Sequence, residues 1–387
     1  MKMNILIISP TADILERKKG DQIRINSITT QMMDIGHNIV CLEQEKFLDK
    51  RGKNFKIKII GFKKCTPPFL VDLNPFFYYT LYKTLREENI HLIQISFPTG
   101  MIATKIITKL LGLRKPIVYD AHNVEGVKVK EYKDPTLPLY KRIVAPIYIP
   151  ILERMAVKLA NNILSVSQRD KELFIKKYNV DHEKITIIPS GTNILNLKSL
   201  EDRSDVRKKF GVKLEEIIIV FHGTYTYYPN KEAADLIIDY IAPKIGELYH
   251  NVNFIIAGKD VPEIEEDNVI CVGFIDDLQS LLNASDIAIV PLSHGGGTKL
   301  KIFDYMGVGL PIVTTKKGIE GINAKNGEEA IIVDDVNEKF VDAIKYLIDN
   351  KQEREKIGAN ARRLAEEEYD WDRIGEKLDK LYRDILE

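Results

Sequence analysis

Short apolar segments alternate with longer amphipathic segments along the chain, and this alternation runs twice. In the first half, seven segments have the β-branched, apolar character of buried strands: 4–9, 38–42, 56–61, 92–96, 116–120, 163–167 and 186–189. Segments with helical character lie between them, at 22–35, 75–88 and 137–160. This order of elements predicts a mostly parallel sheet with helices on both faces.

The second half repeats the pattern after a charged segment, 195–213, which is interpreted as a linker with a short helix. Its predicted strands are 216–221, 253–258, 269–273, 287–291, 311–315 and 330–333, and its helices lie near 231–246, 277–283, 299–306 and 336–350. We therefore predict an α/β protein of two doubly wound, Rossmann-like domains, 1–195 and 196–365. Tandem domains of this kind place a ligand cleft between the carboxyl ends of their sheets.

The segment 366–387 is predicted to be a separate amphipathic helix. Its apolar stripe consists of Ile374, Leu378, Leu381, Tyr382 and Ile385.

Length and cysteine content narrow the class of protein. A chain of 387 residues is long for one domain, which agrees with two. Three widely spaced cysteines, Cys41, Cys65 and Cys271, predict neither a disulfide framework nor a zinc site. The first apolar run, 5–8, is too short for a signal peptide, and no run of about 18 apolar residues predicts a membrane span. A cytoplasmic location is expected.

The formal net charge of zero conceals two halves of opposite sign. Residues 1–195 contain 31 Lys plus Arg and 19 Asp plus Glu, whereas 196–387 contain 25 and 37. The basic half has lysines or arginines at 50, 51, 53, 56, 58, 63, 64, 114 and 115, and an aromatic-rich segment at 67–82. This combination suits peripheral docking on the anionic inner face of the cell membrane, and equally suits ordinary solvated faces around a buried helix. A nucleic-acid partner is not expected.

The strongest local signal is a glycine run between a predicted strand and a predicted helix, in the segment Pro291-Leu-Ser-His-Gly-Gly-Gly-Thr-Lys-Leu-Lys. Consecutive glycines let backbone N–H groups approach an anion, and a helix N-terminus adds partial positive charge. Lys299 and Lys301 are unfavourable to the helix dipole at that end, which indicates a bound anion such as phosphate. The alternative is a flexible surface loop whose Thr298 caps the helix. The spacing is neither a Walker A motif nor a dinucleotide fingerprint.

Asp304 lies about one and a half turns into the same predicted helix. A carboxylate at that depth could accept hydrogen bonds from ribose hydroxyls while phosphates lie at the helix start. The alternative is a solvated surface aspartate.

The segment Gly295-Gly-Gly-Thr-Lys-Leu-Lys-Ile-Phe-Asp-Tyr-Met-Gly-Val-Gly-Leu-Pro resembles the nucleotide-sugar signature of family 4 retaining glycosyltransferases, which have the GT-B fold. Further matches extend over nearly the whole chain. They include Tyr119-Asp-Ala-His-Asn-Val-Glu, Ile188-Pro-Ser-Gly-Thr-Asn, His222-Gly-Thr-Tyr-Thr-Tyr-Tyr-Pro-Asn, Val272-Gly-Phe-Ile-Asp-Asp-Leu and Tyr369-Asp-Trp. In this family the final helix crosses back to the first domain.

The resemblance implies a donor site in the second domain. Gly295, Gly296, Gly297 and Thr298 would hold the diphosphate, Lys299 would be a catalytic charge clamp, and Lys231 a less certain second clamp. Asp304 would bind ribose, and the backbone of Gly273, Phe274 and Ile275 would contact the base. The wider family has a glutamate at the place of Gly296, so donor-sugar hydroxyls would need other partners. His294 is a candidate for this role, and a solvated loop histidine is the alternative.

The resemblance also implies sites in the first domain. His122 would be catalytic through contact with the donor sugar or phosphate, and Asn123 and Glu125 would shape the acceptor side. The loop 10–21, including Lys18, Gly20 and Asp21, followed by Arg24, resembles the family's acceptor loop. A surface turn is the alternative for that loop.

The implied reaction is metal-independent transfer of a sugar from a nucleotide diphosphate sugar to a lipid-linked or surface-glycan acceptor, with retained configuration. No cofactor or metal is expected. Two other functions remain open: a GT-B-fold nucleotide-sugar epimerase, and a non-catalytic nucleotide-sugar-binding protein, which the substitution at Gly296 would suit.

Overall fold

A computed structural model describes residues 2–14, 19–50, 57–129, 142–197, 201–262, 265–266 and 268–387. The chain divides into two compact units. Unit 1 contains Met1–Ser190 and Trp371–Glu387, and unit 2 contains Gly191–Asp370. Each is an α/β unit with its own seven-stranded sheet, so the predicted fold class is confirmed.

The sheet of unit 1 is parallel throughout, in the order β3-β2-β1-β4-β5-β6-β7. The central strands are almost fully buried because helices cover both faces, which accounts for their continuous apolar sequences. The strands are β1 Asn4–Ile8, β2 Asn38–Gln44, β3 Lys58–Phe62, β4 Leu92–Ser96, β5 Ile117–Ala121, β6 Asn162–Ser165 and β7 Ile185–Ile187.

The helices of unit 1 follow the crossover pattern of a doubly wound fold. Asn74 caps α2 through its side chain, and Pro75 at the first helical position presets the backbone. The helices are α1 Gly20–Asp34, α2 Pro75–Glu87, α3 Met101–Leu110, α4 Glu125–Lys128, α5 Ala145–Leu159 and α6 Gln168–Tyr178, with short 3-10 segments at Glu45–Lys50, Pro68–Leu73 and His182–Lys184.

The last helix of the chain, Trp371–Leu386, packs on α1 of unit 1. It is called α14, after the helices of unit 2. Its apolar stripe buries Ile374, Leu378 and Tyr382 against the β1 side of the sheet. Polar contacts fix its register: Gln31 Nε2 donates to Asp372 Oδ1 at 3.0 Å, and His37 Nε2 lies 2.7 Å from Asp379 Oδ1.

The sheet of unit 2 has the order β10-β11-β9-β8-β12-β13-β14, and only the β10–β11 pair is antiparallel among the described residues. The first strand, β8, lies in the middle, so the order reverses beside it. The strands are β8 Ile217–His222, β9 Val252–Ala257, β10 Glu265–Glu266, β11 Val269–Cys271, β12 Ile287–Val290, β13 Ile312–Thr315 and β14 Ile331–Val333.

The helices of unit 2 are α7 Arg203–Lys209, α8 Tyr228–Leu236, α9 Ala242–Gly246, α10 Leu278–Ala284, α11 Leu300–Gly307, α12 Glu338–Asp349 and α13 Lys351–Leu364. A π-helical turn, Ile237–Ile241, joins α8 to α9, and a second, Ala365–Tyr369, extends α13. A 3-10 turn lies at Ile194–Leu197.

The sequence pattern located every described strand except the two-residue β10. It missed α3, the four-residue α4, α6 and α13. Of the helix predicted at 137–160, residues 137–141 lie outside the described residues. No helix in the described ranges has the length and apolar content needed to cross a membrane.

Candidate donor and acceptor sites

The polar groups of unit 2 gather where its strand order reverses, at the carboxyl ends of β8 and β12. Ligands of open α/β sheets bind at such a switch point. The loop after β12 lies against the turn after β8, because a Cβ added to Gly295 would be 3.3 Å from both the Pro229 ring and the Tyr227 hydroxyl. Gly295 and Gly297 adopt φ values of +106° and +75°, which side chains with a Cβ rarely adopt.

The start of α11 leaves polar groups unused. Lys299 is the N-cap residue and its side chain makes no capping hydrogen bond, so the helix is not capped by Thr298 as the loop alternative supposed. The Thr298 hydroxyl is buried and has no hydrogen-bond partner among the described residues. Unpaired N–H groups and a buried hydroxyl at a helix N-terminus are suited to binding an anion.

Lys299 is 9 % exposed and folds back over the glycine loop. Its ammonium donates to the carbonyl oxygens of Gly295 and Gly297 at 2.9 and 2.7 Å, and lies 3.7 Å from Glu320 Oε2. Its charge therefore stabilises the loop conformation from within.

Lys301, in the first turn of α11, contacts the end of β8 and the turn after it. Its Nζ donates to Asn230 Oδ1 at 2.9 Å and lies 3.9 Å from the centre of the Phe221 ring. Burial, with a smaller contribution from Lys299, lowers the pKa of Lys301 to about 7.

His222, at the end of β8, adjoins this lysine. Its backbone N–H donates to the Tyr305 hydroxyl at 3.0 Å, and its Nε2 is buried without a partner among the described residues. Burial, followed by the charge of Lys301, lowers the pKa of His222 to about 3, so the imidazole is neutral at physiological pH.

The other residues predicted for the donor site lie around this centre or at its edge. Asp304 Oδ1 accepts a hydrogen bond from Thr192 Oγ1 at 2.8 Å. The Lys231 side chain is 49 % exposed and pairs with Asp235 at 2.5 Å, so its charge is already engaged. His294 is mostly exposed, with Nδ1 2.9 Å from Glu232 Oε2.

The end of β11 forms a second glycine turn. Gly273 has φ +63°, and its carbonyl oxygen accepts from Gly258 N–H at 2.7 Å at the end of β9. Phe274 is 71 % exposed, whereas Ile275 packs against the core. Gly296, at the place of the family's glutamate, is partly exposed.

In unit 1, His122 follows β5 and contacts Asp120. Its Nε2 lies 3.2 Å from Asp120 Oδ2, and its Nδ1 is buried with no partner in the described part of the chain. The ring lies 4.5 Å from that of Phe97, which has an unusual φ of +70° at the end of β4. Backbone strain of this kind clusters at functional sites.

Asp120 is the centre of a fully buried polar network. Arg24 Nε and Nη2 donate to its Oδ1 at 3.0 and 2.8 Å, and Gln94 and Ser96 donate to its Oδ2. Burial opposes ionisation, but Arg24 and His122 outweigh it and lower the pKa of Asp120 well below its usual range. Arg24, predicted on the acceptor side, is only 1 % exposed. Its guanidinium is therefore used inside the fold.

Asn123 and Glu125 lie together beyond His122, with Asn123 Nδ2 3.2 Å from Glu125 Oε1. Glu153 accepts the N–H groups of Glu125 and Gly126, both at 2.7 Å, and fixes this turn. Burial raises the pKa of Glu153 to about 7. Gly20 and Asp21 form the first turn of α1, whereas Lys18 lies outside the described residues.

Sequence reasoning missed several members of these sites. Asn230, His222 and Glu320 were not assigned roles, although Asn230 follows Tyr228-Pro229 and Glu320 lies in a Gly-Ile-Glu-Gly turn after β13. Spacing gives no sign that Asn230 and Lys301, 71 positions apart, touch each other. No group of three or more metal-ligating side chains occurs within the described ranges.

Two family models match consecutive parts of the chain. Residues 27–194 match Glycosyltransferase Family 4, and residues 216–350 match Glycosyl transferases group 1.

A sequence relative and two solved structures are similar to most of the chain. UDP-Gal:alpha-D-GlcNAc-diphosphoundecaprenol alpha-1,3-galactosyltransferase of Escherichia coli is 23 % identical over 332 residues, 81 % of this chain and 80 % of that protein. The crystal structure of Anabaena HepE in complex with UDP-glucose covers 99 % of this chain and 100 % of its own, with a TM-score of 0.71 and 17 % identity. Sucrose-phosphate synthase of Thermosynechococcus elongatus covers 99 % of each chain, with a TM-score of 0.74 and 15 % identity.

The fold and the sequence relatives together define a nucleotide-sugar glycosyltransferase with the GT-B fold. The chain is similar to the family 4 glycosyltransferases in residues 27–194 and to the group 1 glycosyl transferases in residues 216–350.

Proposed function

We propose that this protein transfers a sugar, with retained anomeric configuration and without a bound metal, from a nucleoside diphosphate sugar to a lipid-linked or surface-glycan acceptor. The observation that carries the proposal is the glycine loop at the switch point of unit 2, where a buried Thr298 hydroxyl and a buried His222 nitrogen have no partner in the described chain. A diphosphate would supply the missing acceptors for the loop N–H groups and for Thr298.

The remaining donor contacts follow from position. Gly296 and Gly297 would present N–H groups to the phosphates, and Lys299 would keep the loop in shape through the Gly295 and Gly297 carbonyls. Asp304, oriented by Thr192, would accept a ribose hydroxyl. The turn at Gly273 would offer backbone groups to the base.

His122 would contact the donor from unit 1. If Nε2 carries the proton toward Asp120, Nδ1 is left as a buried acceptor for a sugar hydroxyl. Asn123 and Glu125, fixed by Glu153, would shape the acceptor side.

In the proposed reaction, the bond between the anomeric carbon and the β-phosphate oxygen breaks, and the electron pair leaves with the phosphate. Backbone N–H groups of the loop and the N-terminus of α11 stabilise that charge. The acceptor oxygen bonds to the same face of the anomeric carbon, and its proton passes to the departing phosphate oxygen.

UDP is the nucleotide we propose, because the E. coli relative's name specifies UDP-Gal and the HepE structure contains UDP-glucose. Titration calorimetry with UDP, GDP, ADP and dTDP tests this, and UDP is expected to bind tightest. Failure of all four to bind would contradict the proposed donor site.

Transfer is tested with UDP-glucose and UDP-galactose and with undecaprenyl diphosphate-linked N-acetylglucosamine, an acceptor suggested by the E. coli relative. NMR of the product should show the donor's α configuration, and EDTA should leave the rate unchanged. A β product or loss of the rate in EDTA would contradict the proposed mechanism. Isomerised donor without acceptor would instead indicate an epimerase.

We further propose that unit 1 docks on an anionic membrane. The exposed side chains of α3 and of residues 142–159 are all apolar or basic: Lys105, Ile106, Lys109, Leu110, Arg142, Ile143, Val144, Ile147, Ile151, Arg154 and Lys158. Exposed isoleucines at 143, 147 and 151 form a stripe that suits insertion between headgroups. Of the surface expected from sequence, Phe77 and Leu81 are buried, and residues 51–56 lie outside the described ranges.

Flotation with phosphatidylglycerol-containing vesicles tests this surface. The variant Ile147→Ser/Ile151→Ser should lose most binding, and Leu214→Ser/Leu248→Ser, which changes equally exposed leucines of unit 2, should not. Equal binding of all three proteins would contradict the proposed docking surface. Binding to vesicles made only of phosphatidylcholine would contradict it too.

A further inference from the structure

We infer that Lys301, and not Lys299, is the lysine that neutralises a phosphate group of the bound donor. The inference rests on the proposed donor site and names the charged side chain within it. It reverses the ranking that the sequence suggests, where Lys299 stands nearer the glycine run.

Lys299 already has partners for its charge. Two loop carbonyls accept its hydrogen bonds, and Glu320 lies 3.7 Å away, so the ammonium is compensated before any ligand arrives. Moving it to a phosphate would cost the loop two hydrogen bonds that shape it.

Lys301 has only neutral partners in its described surroundings: the amide oxygen of Asn230 and the face of the Phe221 ring. No carboxylate oxygen of a described residue lies within ion-pair distance of its ammonium. A buried ammonium without a counter-charge is costly, because desolvation is not offset by an ion pair. An anion bound above it would supply that counter-charge.

The surrounding residues are arranged for this lysine. A Cβ on Gly223 would be 2.8 Å from Lys301 Nζ and 2.7 Å from Asn230 Nδ2, so a side chain there would displace both groups. Gly223 follows β8 directly, at the switch point where the diphosphate is proposed to bind. The glycine therefore leaves room for the lysine at that end of the sheet.

Two other cationic or titratable groups face Lys301. They are Lys299, which repels it, and His222, which is neutral. Burial and the charge of Lys299 disfavour a charged Lys301 in the ligand-free protein, and a phosphate would favour it. Donor binding should therefore be accompanied by proton uptake at mildly alkaline pH.

The test compares UDP binding by the wild-type protein, Lys301→Met and Lys208→Met. Lys208 is a control because it lies on α7 of the same unit, is exposed, pairs with Asp205 and belongs to no proposed site. Calorimetry should show at least a tenfold loss of UDP affinity for Lys301→Met and less than threefold for Lys208→Met. Binding of uridine, which lacks phosphates, measured by NMR, should be the same in all three proteins.

Repeating the UDP titration at pH 8 in HEPES and in Tris buffers, which differ in ionisation enthalpy, measures proton uptake. The wild-type protein should take up a fraction of a proton, and Lys301→Met should take up less. UDP affinity of Lys301→Met within threefold of wild type, or equal proton uptake, would overturn the inference. Equal affinity of the wild-type protein for uridine and UDP would also overturn the inference. Absence of any nucleotide binding would instead contradict the proposed function itself.

Discussion

The two units differ in how the charge of a central polar side chain is compensated. In unit 1, Asp120 is enclosed with Arg24, Gln94, Ser96 and His122, and every neighbour of the carboxylate donates to it or offsets its charge. In unit 2, Lys301 is enclosed with an amide and an aromatic ring. The first charge is compensated by groups of the protein, whereas the described partners of Lys301 are neutral.

This difference separates polar groups that stabilise the fold from those reserved for binding. Substituting one member of a complete network destabilises the protein, because another buried charge is left unpaired. An incomplete network destabilises the ligand-free protein, and ligand binding then stabilises it. The following variants test that distinction.

The largest effect is expected from Asp120→Ala. It would leave the Arg24 guanidinium buried without its counter-ion, and we expect unit 1 to lose about 3–5 kcal/mol of unfolding free energy. Urea denaturation followed by circular dichroism measures this loss.

The double variant Arg24→Met/Asp120→Ala is its control, since neither charge remains. It should recover a substantial part of the lost stability. A double variant as unstable as Asp120→Ala would mean that the hydrogen bonds of Asp120, and not the ion pair, carry the energy.

Lys301→Met should act with the opposite sign. The thioether removes a buried ammonium that has no carboxylate partner in the described structure, so the ligand-free protein should become more stable by about 1–2 kcal/mol at pH 7. Thermal unfolding of the ligand-free variant checks this, with Lys208→Met as the unchanged control. Destabilisation comparable to that of Asp120→Ala would show that Lys301 is structural.

The stability gain of Lys301→Met should also depend on pH. The pKa of Lys301 is about 7 in the folded protein and lies below its unfolded value, so the unfolded chain binds more protons between them. Wild-type stability should therefore rise relative to the variant from about pH 7 to about pH 10, and the difference between them should shrink. If the stability difference between the two proteins does not change with pH over this interval, the lowered pKa of Lys301 is not its cause.

The smallest effect is expected from Tyr382→Phe. The Tyr382 hydroxyl on α14 donates to Gln94, which in turn donates to Asp120, so the variant breaks a neutral hydrogen bond at the edge of the complete network. A loss of about 1 kcal/mol is expected by urea denaturation. A loss as large as that of Asp120→Ala would show that α14 controls the whole network.

The fold could be predicted from the sequence because buried parallel strands have continuous apolar sequences. The 288–290 and 219–221 segments belong to adjacent strands β12 and β8, and both are apolar throughout. Helices were less certain, since α13 is largely charged and exposes most of its surface.

The glycine loop and the Asp120–His122 segment could also be found, because each is a local motif at a strand end. What sequence could not supply was the electrostatic state of each side chain. Lys299 and Lys301 are two positions apart and chemically identical, yet one is offset by Glu320 and the other rests on Asn230. The sequence predicts Arg24 on the acceptor side, but its partner, Asp120, is 96 positions away.

The connectivity of the units has a consequence for biosynthesis. Unit 2 is an insertion within unit 1, and the chain leaves and re-enters at neighbouring points, where Thr192 N–H donates to the Tyr369 carbonyl at 2.9 Å. Unit 1 therefore cannot bury the apolar surface that Leu378 and Tyr382 cover until the whole of unit 2 has been synthesised. Until then that surface stays exposed, which makes the nascent unit 1 a substrate for chaperones.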